Sequence, residues 1–153
     1  MNGETQSSDA DNRILFSKSA QEAIGVGLNE WKGKLRIDIR TFVPVIGEEG
    51  LMPTPKGISL DVDQFPELLQ AVQDLGEVMT NDKLVARISK NPTQEIRVGV
   101  NTFRNMPLIY IRTFTRKDEN TEDWTPTKKG ISIKVDLYPR LLEAIESLGD
   151  QIE

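Results

Sequence analysis

Ile37-Asp38-Ile39-Arg40-Thr41-Phe42 decides the fold, because it returns almost unchanged as Ile109-Tyr110-Ile111-Arg112-Thr113-Phe114. Side chains alternate along a strand, so Ile37 and Ile39 share one face while Asp38 and Arg40 share the other. In the copy, Ile109 and Ile111 take the first face, Tyr110 and Arg112 the second. An apolar back under a polar front marks a half-buried antiparallel strand. Its front is available to a partner.

Outward from this strand the duplication runs in both directions. An offset of 72 aligns Ile24, Val26, Gly27 and Asn29, as well as Ile37 and Ile39–Phe42, with identical residues. After one inserted residue, an offset of 73 aligns Pro53, Thr54, Lys56–Ser59, Val62, Asp63, Pro66, Leu68, Leu69, Ala71, Leu75 and Gly76 with identical residues. Matches this dense make the chain two copies of one unit.

Each copy reads in the same order. Ile14–Ser17 is a short strand, matched by Ala86–Ser89. Ile24–Trp31 alternates apolar with small or polar residues, which predicts a second strand. Lys32-Gly33-Lys34 is a tight turn with glycine at its centre, and Leu35–Val43 follows as the third strand. Pro44–Gly50 is a loop. Leu51–Leu60 is the last strand, with Pro53 and Pro55 suited to an irregular edge. Asp63 is placed to cap a helix, with Pro66 in its first turn. Phe65, Leu68, Leu69, Val72 and Leu75 recur at helical spacing, and Gly76 ends the run. The second copy repeats the pattern with Asp136, Tyr138, Leu141, Leu142, Ile145, Leu148 and Gly149. Glu77–Leu84 connects the two.

The expected organisation is a disordered tail over residues 1–12, one unit over 13–78 and a second over 79–153. The fold class is α+β. A unit of about 70 residues with one helix has a thin core. The two helices are therefore expected to bury against each other about a pseudo-two-fold axis, a covalent version of an isologous dimer.

Composition narrows the function. The chain of 153 residues has no cysteine and no histidine. Disulfides, thiolate chemistry and the commonest general base are excluded. No nucleophile elbow, phosphate-cradling glycine loop or paired metal carboxylates appear. The reading is non-enzymatic, with no cofactor and no metal. Asp118–Asp123 alternates oxygen ligands but lacks the calcium-loop pattern, and reads as a solvated loop. Trp124 is expected to pack as Leu51 does in the first copy. No apolar run approaches the roughly 20 residues of a membrane span, and Met1–Asn12 lacks the pattern of a signal peptide. The expected location is cytoplasmic: nucleoid-associated in a bacterium, nuclear in a eukaryote. The net charge of −5 is carried by residues 1–76, whereas residues 77–153 balance to zero. A basic stripe on one face is compatible with this, because charges more than about 10 Å apart are largely screened.

The hairpin Trp31-Lys32-Gly33-Lys34, the strand Ile37-Asp38-Ile39-Arg40, the strand Lys56-Gly57-Ile58-Ser59-Leu60 and the helix after them resemble the positive-cofactor-four family of transcriptional coactivators. The second copy keeps Phe103, Arg104, Ile111, Arg112 and Lys129-Gly130-Ile131-Ser132. The resemblance spans about residues 14–152. It implies a curved four-stranded antiparallel sheet plus a C-terminal helix in each copy, paired as an intramolecular pseudo-dimer that binds single-stranded DNA on the sheet faces. The implied contacts are Trp31, Lys32, Lys34, Arg40 and Lys56, then Phe103, Arg104, Arg112, Lys128 and Lys129. Members often carry an aromatic after the residue matched by Phe42, where Val43 and Thr115 stand here. Asn105 and Met106 replace the expected Gly and Lys, so the two halves are expected to bind unequally.

Single-strand binding needs cations along phosphates and flat rings under bases. Tyr110 and Arg36 share the polar front and join the candidate set. Trp31 and Phe103 also suit a simple cover for the sheet edge. Arg36 and Arg40 are also placed to pair with Asp38, whereas Arg112 faces Tyr110 and lacks that partner. The leading reading is single-stranded DNA binding with little sequence preference, with RNA, further transcription or replication proteins and a homodimer of the tandem chain left open, and no membrane partner. The alternatives are a protein-interaction module of the same fold and a small-ligand regulatory pair.

Overall fold

A computed structural model of the chain describes residues 13–79 and 81–152, so the tail expected over residues 1–12 lies outside the described residues. The first unit has β1 (Ile14–Ser17), β2 (Ala23–Trp31), β3 (Lys34–Pro44) and β4 (Leu51–Asp61), then a 3-10 turn (Val62–Gln64) and α1 (Phe65–Leu75). The second has β5 (Lys83–Asn91), β6 (Gln94–Phe103), β7 (Met106–Thr115) and β8 (Thr125–Lys134), a 3-10 turn (Val135–Leu137) and α2 (Tyr138–Ile152). The strands form two antiparallel sheets in the orders β1-β2-β3-β4 and β5-β6-β7-β8. The fold is α+β, two copies of one ββββα unit. No helix among the described residues is long and apolar enough to cross a membrane.

Register places the isoleucines as their alternation demands. Ile39 stands between Val26 and Ile58, and Ile111 between Val98 and Ile131. All six are buried. Burying an aliphatic side chain of this size is worth about 1.5–3 kcal/mol. The helices supply the cover, and they do so crosswise. α1 lies over β5 and β6 of the second sheet, while α2 lies over β1 and β2 of the first. The inward residues of both sheets and both helices form one continuous core.

The helices meet antiparallel. Tyr138, at the start of α2, donates its hydroxyl to the carbonyl of Val72 near the end of α1, at 2.7 Å. At the other end, the Phe65 ring lies where a Cβ on Gly149 would be, 2.9 Å from that point. Phe65 and Tyr138 correspond in the repeat, as do Gly76 and Gly149, so the two contacts are related by the pseudo-two-fold.

Several sequence expectations shift here. β5 is longer than Ala86–Ser89. Neither Asp63 nor Asp136 caps a helix. Each lies inside the 3-10 turn by which the chain leaves the last strand. Gly149 does not end its helix, which continues to Ile152. It serves close packing against Phe65. Gly76 does end α1, but with ordinary right-handed backbone (φ −60°).

Because each helix sits on the other unit's sheet, a cavity cut in one helix weakens both halves. Leu148→Ala should lower unfolding free energy by about 2–5 kcal/mol, in a single urea transition followed by far-ultraviolet circular dichroism. Tyr138→Phe should cost about 1 kcal/mol in the same assay.

Candidate nucleic-acid interface

The faces turned away from the helices carry the candidate residues. In the first sheet, Gly25 stands opposite Arg40 and Gly27 opposite Asp38. Without a Cβ at either place, the Phe42 ring lies across Gly25 and the Arg13 stem across Gly27. Asp38 is thereby covered, only 4% exposed. It accepts from Arg40 Nε at 3.1 Å and Asn29 Nδ2 at 3.0 Å, and faces Arg13 Nη1 at 3.4 Å. Arg40 also donates to the Thr54 carbonyl at 2.9 Å. Arg36 does not pair with Asp38. It stands opposite Asp61 across β3 and β4, and bonds Asp61 Oδ1 at 2.7 Å and Ser59 Oγ at 2.8 Å. Arg36 and Arg40 are thus both paired, with Asp38 shared between Arg40 and Arg13.

The second sheet solves the same problem differently. Arg87, Arg97 and Arg112 stand abreast across β5, β6 and β7. Glu95, buried at 5% exposure, binds Arg87 at 2.8 Å and Arg97 at 2.6 Å. Burial alone would push the Glu95 carboxyl up, but the two guanidinium bonds outweigh it and hold it below the ordinary value. Arg112 keeps the contact that Arg40 makes, donating to the Thr127 carbonyl at 2.9 Å. Among the described residues no carboxylate lies within ion-pair distance of it. Gly130 makes room for that path, since a Cβ there would meet the Ile111 carbonyl at 2.6 Å and Arg112 Cα at 2.7 Å. Tyr110, in the place of Asp38, lies over Gly99 and is half-buried, which raises its hydroxyl above the ordinary value.

Trp124 is not a plain counterpart of Leu51. Its ring is ringed by guanidinium groups, with Arg116 at 4.5 Å, Arg87 at 5.7 Å and Arg97 at 5.9 Å from the centroid. Cation–π attraction of this kind is worth about 0.5–2 kcal/mol when partly desolvated. The acidic stretch beside it wraps Arg116, which donates to the Thr121 carbonyl at 2.9 Å and pairs with Glu122 at 3.0 Å.

The two hairpin aromatics project into solvent: Trp31 is 59% exposed and Phe103 60%. Each ring is followed by a two-residue turn with positive φ at both positions, Lys32 and Gly33 in one, Arg104 and Asn105 in the other. This is the turn that matches the twist of a tight hairpin. A lysine or arginine there bears a steric cost of about 1–2 kcal/mol. The turn lays the cation against its own neighbour, Lys32 Nζ 4.6 Å from the Trp31 ring and Arg104 Cζ 5.1 Å from the Phe103 ring. Lys34 continues the first hairpin, whereas Met106 follows the second.

β4 runs beside β8, so the fronts of the two sheets join along a seam. A groove of about 640 Å³ over the first sheet includes Trp31, Arg36 and Arg40 together with Lys90 and Lys129 of the second unit. A second groove of about 600 Å³ is lined by Tyr110, Arg112, Phe114, Thr127 and Lys128. A cleft of about 200 Å³ on the seam brings Lys18 and Lys56 to Arg112 and Lys128. Lys32, Lys34 and Arg104 lie out on the hairpins, on neither groove's wall. Sequence reading missed Arg13, Lys90, Arg97 and Trp124. The one available signal was a break in the repeat, Arg97 standing where the first copy has Gly25.

Two stretches, residues 18–71 and 90–144, match the family described as Transcriptional Coactivator p15 (PC4). The chain belongs to this family, with two copies in tandem. It is similar to the RNA polymerase II transcriptional coactivator KIWI of Arabidopsis thaliana, 32% identical over 75 residues. That match takes in 49% of this chain and 66% of KIWI, just under two thirds of its length. Among solved structures it is similar to a PC4 homologue from Burkholderia pseudomallei, at 24% identity and a TM-score of 0.40 over 47% of this chain and 95% of that one. It is also similar to the bacteriophage T5 homologue of the eukaryotic coactivator PC4, at 25% identity and a TM-score of 0.32 over 46% and 86% of the respective chains.

The outer-face charges give two tests. Asp38→Ala strands Arg13 under cover and should cost about 3–5 kcal/mol of unfolding free energy in urea. A carboxyl held below its unfolded value contributes stability above that value and loses it as pH falls through the folded one. The stability difference between the unmodified protein and Glu95→Gln should therefore be full at neutral pH and shrink below about pH 4.

Proposed function

We propose that this protein binds single-stranded DNA with little sequence preference, as a non-enzymatic factor in transcription, replication or repair. One observation carries the reading. Two exposed rings, each with its own cation, stand at corresponding hairpins of sheet faces that the helices leave open. Bases stack on Trp31 and Phe103, while Lys32, Lys34 and Arg104 take the phosphates beside them. Arg112, with Lys56, Lys128 and Lys129 near the seam, continues the track. A duplex hides its base faces, so rings presented this way favour unpaired strands. Single-stranded RNA offers the same rings and phosphates, and its competition against DNA measures the preference. KIWI is named as an RNA polymerase II transcriptional coactivator, and the phage homologue is described as implicated in recombination-dependent DNA replication. Both descriptions fit a ligand of this kind. The place of action follows the ligand: the nucleoid of a bacterium or the nucleus of a eukaryote.

A second reading, a protein-interaction module, is favoured by the paired Arg36 and Arg40. Fluorescence anisotropy with labelled oligo-dT separates the two. Affinity should fall with salt, log K dropping by about 0.7 per phosphate contact for each unit of log salt. Each stacked base is worth about 1–3 kcal/mol, so replacing Trp31, Phe103, Arg40 and Arg112 together by alanine should weaken binding at least roughly 30-fold. An unchanged affinity in that variant would refute the site.

A further inference from the structure

Lys90 lies at the end of β5, on a hairpin that reaches over the front of the first unit. Gln64 holds the hairpin there, its Nε2 donating to the Ser89 carbonyl at 2.6 Å. Lys90 thus lines the groove of Trp31, Arg36 and Arg40 and not one of its own unit, and Lys129 reaches the same groove from β8. The groove's own arginines are each already engaged, Arg36 by Asp61 at 2.7 Å and Arg40 by Asp38 at 3.1 Å. Lys90 and Lys129 are in ion-pair contact with no carboxylate among the described residues. The repeat shows why Lys90 is free. Its counterpart Lys18 pairs with Glu22 at 3.4 Å, and the residue matching Glu22 is the neutral Gln94. Lys90 is half-buried, and burial together with the nearby Arg36 and Lys129 charges lowers its pKa. Glu30, Asp38 and Asp61 also line this groove, but Asp38 and Asp61 are engaged by Arg40 and Arg36, so the two lysines leave the wall a surplus of positive charge that attracts an anion from outside.

We propose that Lys90 and Lys129 form a phosphate site over the first unit's groove, supplied across the seam by the second unit, which grips the backbone of the strand whose base stacks on Trp31. The proposal rests on the single-strand reading and adds a division of labour within this groove: the first half supplies the ring, and the second half adds two lysines to the first half's own hairpin cations. The site exists only while the two units are docked, so binding there also holds them together. A phosphodiester carries one negative charge and acceptor oxygens for both ammonium groups, and strongly hydrated lysine suits it as a point charge.

The test uses the full chain. Lys90→Ala and Lys129→Ala, singly and together, are titrated with labelled oligo-dT at 50 and 200 mM salt, with circular dichroism confirming the fold. Each single variant should weaken binding about threefold or more, and the double variant should reduce the slope of log K against log salt by about 1.4. In double-mutant cycles Lys90→Ala should couple to Trp31→Ala and not to Phe103→Ala. Unchanged affinity and slope in the double variant, while Trp31→Ala or Arg112→Ala weakens binding, overturns this site and leaves the single-strand reading intact. If the unmodified protein does not bind oligo-dT, that reading fails and inorganic tripolyphosphate becomes the probe. A rise in melting temperature that the double variant loses supports the phosphate site on its own, and no rise overturns it.

Discussion

Each sheet can hide one face only, and neither unit's helix hides its own. That constraint governs the molecule. α1 covers the second sheet and α2 the first, so the apolar residues of both units share one core. A sheet without its neighbour's helix would expose its row of isoleucines to water. The tandem chain therefore carries its dimer interface within itself, and the short connector between α1 and β5 replaces the entropy cost of bringing two chains together. The tyrosine and phenylalanine that begin the two helices close the arrangement at both ends, each against the glycine of the other helix.

Committing both helices to one side leaves both fronts bare, and the two copies have used that freedom differently. In the first, glycines in β2 let a buried carboxylate collect an arginine from before β1, another from its own strand and an asparagine amide. In the second, the carboxylate has moved to Glu95, on β6, and a tyrosine fills the vacated place. The outcome is an uneven pair of faces. One front has its arginines paired internally and an exposed indole. The other keeps Arg112 beside a tyrosine, bonded to a carbonyl and to no carboxylate among the described residues, and sets a half-covered tryptophan among its other arginines. Across the seam between β4 and β8, Lys90 and Lys129 reach the first unit's groove, while Lys18 and Lys56 reach a cleft beside Arg112.

Identity between the copies follows the packing. Ile24, Val26, Ile37, Ile39, Ile58, Leu68 and Leu75 all repeat unchanged and are all buried, as are their counterparts. Three pairs that differ in charge, Gly25 with Arg97, Asp38 with Tyr110 and Asp61 with Lys134, lie on or at the rim of the open faces. An interior at native density resists changes of even one methylene, whereas a solvated face tolerates a change of sign.

The alternation of each strand, the amphipathic helices and the hairpin rings were legible in the order of residues alone, because each depends on neighbours two to five positions apart, and the repeat was legible as plain identity at offsets of 72 and 73. Helix boundaries were less so: Asp63 looks like a cap until the chain turns one residue early, and Gly149 looks like a stop until the Phe65 ring is found against it. Which arginine meets which carboxylate, that Arg36 takes Asp61 and that Glu95 is shared by Arg87 and Arg97, depended on register across strands. That Lys90 and Lys129 face the first unit's groove depended on how two separate sheets dock. Periodicity reports which side of a strand a residue is on; only the packed chain decides what lies opposite, because ion pairs and grooves are made by groups that are close in space and far apart in sequence.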